Sequence, residues 1–241
     1  MPNPSDKAQT ATRRHAQPVR IGKFDPTLYL VINPEQCIHN SVEQTVIAAV
    51  TGGVSAIQLR SKTMGPEKLA ELVTGVVDAL GSLNIPVFVN DSVHIAASTG
   101  VNAVHLGQED MAVDAARAML GEDACIGLTV RSVSEAQSAP VHLLDYISVG
   151  GVFRTHSKIN PDPPIGLDRL EEIVSLLRSR DPQLPIIAIS GITTRNLESV
   201  LECAVDGVAV VSAICESHNP HLAAQQFKIL IDRYKNRMRT E

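Results

Sequence analysis

The sequence predicts an α/β protein, a single (β/α)8 (TIM) barrel at residues 25–241 behind an N-terminal extension at 1–24. Three observations predict it. Eight short runs rich in β-branched residues alternate with about eight helically spaced stretches over roughly 215 residues, close to the ~250 of such barrels. The runs are nearly continuous in apolar residues rather than alternating, as strands covered on both faces are. No low-complexity segment or linker divides the 241 residues. A doubly wound open sheet would show the same alternation, but the first run lacks the G-x-G-x-x-G turn of its dinucleotide-binding form.

In chain order the strand runs are Leu28–Ile32, Val54–Leu59, Pro86–Asn90, Ala103–Leu106, Ala124–Leu128, Tyr146–Val149, Ile186–Ile189 and Gly207–Val211. The helices predicted around them are 41–51, 66–82, 91–99, 112–119, 133–139, 167–180, 194–204 and 222–238. Pro66 suits a first helical position, with Glu67 behind it. Asp168, Glu171 and Glu172 put negative charge near the start of their helix, where the macrodipole favours it.

Composition narrows the function classes. The chain carries a formal net charge of −5, but Lys7, Arg13, Arg14, Arg20 and Lys23 against Asp6 make residues 1–24 locally +4, leaving −9 for the remainder. An acidic body with seven aromatic residues and no Trp is a poor platform for nucleic acid. The longest stretch free of Asp, Glu, Lys and Arg, residues 92–108, contains two His, an Asn and a Gln, so no membrane span is expected. Residues 1–24 lack an apolar core, so a secretory signal is not expected and a disordered extension is. Cys37, Cys125, Cys203 and Cys215 are widely spaced and read as buried free thiols in a reducing cytoplasm.

In a barrel of this kind chemistry collects where strands end. Run two ends in Gln58-Leu59-Arg60-Ser61-Lys62 and run three in Asn90-Asp91; run four leads to Gln108-Glu109-Asp110 and run five to Thr129 and Arg131. Run six is followed by Gly150 through Lys158, run seven by Ser190-Gly191-Ile192-Thr193, and run eight ends in Val211-Ser212. Arg60, Lys62 and Lys158 can neutralise phosphate. Asp91 and Asp110 are hard oxygen donors suited to Mg2+. Gly191 and the Val211–Ser212 amides lie after strands seven and eight, the usual phosphate site of a barrel. Two anionic groups are therefore expected, on two phosphorylated small molecules or one long diphosphate. Singly, each residue has a blander role: Asp91 and Asp110 could cap the helices that follow, and Arg60 could make a structural ion pair. His94, His105 and His142 read as core or surface residues. No cluster has zinc-ligand spacing, and there is no nucleophile elbow.

Six segments carry a family resemblance: G-G-V-S-A-I-Q-L-R-S-K (52–62), V-N-D (89–91), V-H-L-G-Q-E-D-M (104–111), D-Y-I-S-V-G-G-V-F-R-T-H-S-K (145–158), P-P-I-G-L (163–167) and D-G-V-A-V-V-S-A-I (206–214). In this order they resemble the thiamine-phosphate synthase (thiamine phosphate pyrophosphorylase) family. The resemblance implies a (β/α)8 barrel transferase joining hydroxymethylpyrimidine diphosphate to a thiazole phosphate with Mg2+, releasing pyrophosphate. It implies that Gln58, Arg60, Lys62, Asn90, Thr129 and Lys158 meet the pyrimidine diphosphate and that Asp91 and Asp110 bind Mg2+. Thr155, His156, Ser157, Gly191, Val211 and Ser212 would surround the thiazole phosphate. Arg60, Lys62, Lys158 and Thr129 are the residues expected to act in catalysis.

Five positions depart from the family pattern. Thr129 stands where Ser is usual and keeps the hydroxyl. Arg131 replaces a usual His, Gly151 and Arg154 stand where Pro is common, and Ser190 replaces the first of two glycines. The alternatives are a thiazole-phosphate tautomerase and a catalytically silent phosphate-binding barrel. Neither needs Arg60, Lys62, Asp91, Asp110 and Lys158 together. A cytoplasmic location is expected, and a homo-oligomer is left open.

Overall fold

A computed structural model describes residues 25–157 and 163–240. Residues 1–24, the expected extension, and Lys158 lie outside them. Eight parallel strands close into a barrel in the order β1 to β8, with β1 (Leu28–Ile32) pairing both β2 (Ala56–Leu59) and β8 (Gly207–Val210). Between these lie β3 (Val87–Asn90), β4 (Ala103–Leu106), β5 (Cys125–Val130), β6 (Tyr146–Val149) and β7 (Ile186–Ile189). Parallel neighbours require a crossover, and helices supply it on the outside. These are α1 (Val42–Thr51), α2 (Pro66–Leu80), α3 (Val93–Thr99), α4 (Val113–Leu120), α5 (Val133–Ser138), α6 (Gly166–Arg180), α7 (Leu197–Leu201), α8 (Ser212–Cys215) and α9 (Pro220–Met238).

Local chemistry sets the helix ends. Ser41 opens α1 with a capping box: its hydroxyl accepts the Gln44 N–H while the Gln44 side chain accepts the Ser41 N–H. Ser132 caps α5 in the same sense, accepting from Glu135 N. Pro66 and Pro220 occupy first turns, where no N–H is needed. The expected helix 91–99 begins two residues late because Asp91 has a left-handed φ of 62°. The expected 194–204 shrinks to Leu197–Leu201, because Asn196 turns back: its Oδ1 accepts from Thr193 N at 2.8 Å and its Nδ2 donates to Gly191 O at 3.0 Å.

One apolar core fills the space inside the barrel and between barrel and helices. Inside, Tyr29, Phe88 and Tyr146 meet edge to face with centroids 5.4–5.9 Å apart. Gly127 on β5 makes this possible, since a Cβ there would sit within the Tyr146 ring. The four cysteines are free; Cys125, Cys203 and Cys215 are buried, whereas Cys37 is only half-buried, a correction to the expectation for that residue. Among the described residues no helix is long and apolar enough to cross a membrane.

Candidate active site

A cleft of about 910 Å3, counting its open mouth, lies at the C-terminal ends of the strands. Gln58, Arg60, Asn90, Thr129, Thr155, Ser157, Gly191, Val211 and Ser212 line it, drawn from six of the eight strand ends. Lys62, Asp91, Asp110 and His156 are not among its lining residues.

Lys62, Asp91 and Asp110 instead form a charged group beside Arg60 and Asn90. Lys62 Nζ donates to Asp91 Oδ2 at 2.8 Å, with the lysine side chain 61% exposed and the aspartate 25%. Asp110 Oδ2 accepts the Gly107 N–H at 2.7 Å. Neither aspartate caps a helix: Ser92 and Ala112 stand at the caps of α3 and α4, with no side-chain cap bond at either. Asp110 titrates above the ordinary carboxylate range, first because burial disfavours its charge and then because Asp91 lies against it. Two adjacent carboxylates share one lysine, which pairs with Asp91. That donor set fits a divalent cation. No third His, Cys, Asp or Glu joins them among the described residues, so Mg2+ here would draw its other ligands from substrate oxygens and water, as it commonly does.

The cleft floor is a hydrogen-bonded chain across the barrel. Thr129 Oγ1 meets His105 Nε2 at 2.6 Å, His105 Nδ1 meets the Tyr146 hydroxyl at 2.7 Å, and that hydroxyl meets Tyr29 at 3.0 Å. Gln58 Nε2 donates to the Tyr29 hydroxyl at 3.1 Å. Burial pushes both phenols up, so they remain protonated. Since hydroxyls lie at both ring nitrogens, either neutral tautomer of His105 is served. The chain holds Gln58 and Thr129 in place from beneath. Sequence reading missed Tyr29 and Tyr146 and read His105 as a core or surface residue; five separate strands supply the partners, so no spacing could reveal them. Glu35 was also missed. It accepts from Thr63 and, at 3.4 Å, from Ser61, tying the β1–α1 loop to the segment that carries Lys62. Those bonds hold its carboxyl below the usual range.

On the far side backbone dominates. Gly191 has a φ of 65°, and a Cβ there would collide with the Arg154 carbonyl and come within 2.8 Å of Phe153 Cβ. Phe153 N donates to Ser190 O at 3.0 Å, and Ser157 N to Thr155 Oγ1 at 3.2 Å. Val211 and Ser212 begin α8, whose leading N–H groups have no intrahelical acceptor. Sequence periodicity did not predict this four-residue helix.

A closed (β/α)8 barrel whose strand ends gather basic side chains, a carboxylate pair and a backbone cradle has the chemistry suited to phosphorylated small molecules. The family model described as thiamine monophosphate synthase matches residues 28–214, and the chain belongs to that family. A thiamine-phosphate synthase of Agrobacterium fabrum is 34% identical over 212 residues, covering 88% of this chain and 96% of the relative. One of a Psychrobacter species is 37% identical over 202 residues, covering 83% and 92%. The solved thiamine phosphate pyrophosphorylase from Pyrococcus furiosus superposes with a TM-score of 0.75 at 28% identity, covering 88% of this chain and 98% of that one.

Proposed function

We propose that this chain joins 4-amino-2-methyl-5-hydroxymethylpyrimidine diphosphate to a thiazole phosphate, forming thiamine phosphate and pyrophosphate in thiamine biosynthesis. Family membership supports the reaction. The observation that carries the assignment of roles is the division of the cleft: Arg60 beside the Lys62–Asp91–Asp110 group on one side, a backbone-rich cradle at Gly191 and Ser212 on the other.

The pyrimidine amino group donates electron density to the methylene carbon, so the C–O bond breaks with its electron pair leaving on pyrophosphate. The thiazole nitrogen lone pair then forms the C–N bond to the resulting cation. This chemistry needs no protein nucleophile; it needs departing charge neutralised and two partners held in line. Arg60 and Lys62 supply positive charge to the diphosphate, as does Lys158 from the β6–α6 segment. Gln58, Asn90 and Thr129 hold the pyrimidine, the first and last braced by the buried chain through Tyr29, Tyr146 and His105. Thr155, His156, Ser157, Gly191, Val211 and Ser212 hold the thiazole phosphate. Asp91 and Asp110 would hold Mg2+, which supplies charge neutralisation on the diphosphate oxygens. The free thiols suit a cytoplasmic location.

The test is incubation with both phosphorylated substrates and Mg2+, assaying thiamine phosphate and pyrophosphate in equal amounts. Pyrophosphate release without thiamine phosphate, or no turnover at all, would overturn the reading.

A further inference from the structure

Ser190 sits between β7 and Gly191 with a left-handed φ of 96°, a backbone region that residues with a Cβ rarely adopt. It is only 8% exposed, yet it lines the cleft. Strain at a non-glycine residue persists where the surroundings impose it, commonly at functional sites. The surroundings here are explicit. Ser190 Oγ accepts the Gly151 N–H at 3.1 Å, and Ser190 O accepts the Phe153 N–H at 3.0 Å. Gly151 itself has a φ of 81°, and a Cβ on it would come within 2.9 Å of the Arg131 guanidinium. Gly151 N can therefore reach the hydroxyl because that residue is glycine.

A serine hydroxyl has one proton to give and two lone pairs. Gly151 occupies a lone pair, and among the described residues no side chain or carbonyl takes the Ser190 proton. The hydroxyl is a buried donor without an acceptor, in the wall that also presents Gly191 and Ser212. We propose that Ser190 is a further binding residue of this chain, its hydroxyl donating to an oxygen of the bound thiazole phosphate while its lone pair holds Gly151 at the end of β6. The Gly151 N–H occupies one lone pair of the oxygen and leaves the proton to give to an acceptor in the cleft that Ser190 lines. This rests on the thiazole-phosphate assignment above; a bare phosphate monoester dianion meets the same requirement.

Calorimetry on the full chain tests it, using the thiazole phosphate, its dephosphorylated alcohol and inorganic phosphate against the native protein and Ser190→Gly. The glycine variant removes the hydroxyl and relieves the left-handed backbone, so its melting temperature should hold or rise. The expected result is about tenfold weaker binding of thiazole phosphate and of inorganic phosphate, the order of a hydrogen bond to a charged group, with the alcohol unchanged. Ser190→Ala should show the same loss of phosphate affinity with a lower melting temperature. Equal affinities in native protein and Ser190→Gly would overturn the proposal. So would equal weakening of phosphate and alcohol, which a purely structural latch predicts, and so would a native protein that binds neither phosphate. A native protein that binds the phosphates but forms no thiamine phosphate would instead refute the reaction and leave the Ser190 comparison decisive.

Discussion

The two ends of this barrel use the same residue types to opposite effect. At the N-terminal ends of the strands, arginine–aspartate pairs close completely. Arg117 from α4 reaches Asp145 just ahead of β6 at 2.8 Å, and the same Asp145 Oδ2 accepts Ile126 N of β5 at 2.7 Å. Arg178 from α6 repeats the arrangement with Asp206 ahead of β8, whose Oδ2 accepts Ile186 N of β7 at 2.7 Å. Each pair ties one helix to two strands. At the opposite end Lys62 pairs with Asp91, while Asp110 adds a second carboxylate against it that accepts the Gly107 N–H and stands in no ion pair among the described residues. Left-handed residues show the same contrast. Asn84 and Ala204 merely end helical turns near the N-terminal face, whereas Asp91 and Ser190 carry side chains into or beside the cleft. One end closes on itself; the other turns its polar groups toward or beside an open cleft.

The largest expected effect is at the unsatisfied end. Asn tolerates the left-handed backbone of residue 91, so Asp91→Asn keeps the fold and removes one carboxylate charge from the proposed metal site. A fall in kcat/KM on the order of 100-fold or more is expected, with melting temperature nearly unchanged. An active enzyme with a lowered melting temperature would give Asp91 the structural role of its counterparts at the other end. The mirror experiment is Asp145→Ala. It takes the ion-pair partner from Arg117, which keeps its backbone carbonyls, and removes the carboxylate acceptor of Ile126 N, which should cost about 2 kcal/mol of stability with kinetic constants unaltered. Denaturant unfolding and steady-state kinetics on one preparation would separate the two outcomes.

Much of this architecture is legible in the residues alone. Leu28–Ile32, Ala103–Leu106, Tyr146–Val149 and Ile186–Ile189 have the predicted bounds, because strands buried on both faces must be apolar throughout. Charged and polar strand ends were legible too, since the topology places every such end on one face. What was not legible depends on closure. The bonds from Thr129 through His105 and Tyr146 to Tyr29 join four strands across the interior, and nothing along the chain marks them. The arginine–aspartate ties were equally hidden, each spanning 28 residues of sequence. Capping was a fair expectation for Asp91 and Asp110, and it failed because the left-handed turn at Asp91 sends its carboxylate to Lys62 rather than back along α3.

A titration sharpens the contrast further. The Asp110 carboxyl titrates above its ordinary range in the folded chain, by burial first and Asp91 second. A raised folded value means that this group's contribution to stability is fully present below the unfolded pKa, about 3.9, and is lost as pH rises through the folded one. With chelator present, the native melting temperature should therefore fall as pH climbs out of the carboxylate range, and Asp110→Asn should flatten that fall. Added Mg2+ should restore stability at neutral pH in the native chain and not in Asp91→Asn. Parallel pH profiles for native chain and Asp110→Asn would remove the electrostatic difference between the two ends.

The smallest effect is expected within the buried chain beneath the cleft. Thr129 presents its hydroxyl to His105 at 2.6 Å, while its carbonyl accepts from Gln108 Nε2 at 2.6 Å. Only the hydroxyl belongs to the side chain. Thr129→Ser retains it and removes a methyl, which faces Gly150 closely enough that a Cβ there would come within 3.0 Å. The loss is a single methyl at a half-buried position, so kcat/KM should stay within about twofold and stability should fall by about 1 kcal/mol or less. Thr129→Val preserves the shape and deletes the hydroxyl, leaving one side of His105 facing a methyl group. That change should cost about 1–2 kcal/mol of stability, and it should reduce turnover by about tenfold if the chain holds Thr129 and Gln58 for the pyrimidine. Kinetics on the serine and valine variants side by side measure the hydroxyl against the methyl. Equal activity in both would make the buried chain a structural feature of the barrel interior, belonging with the closed ion pairs at the N-terminal end rather than with the cleft above it.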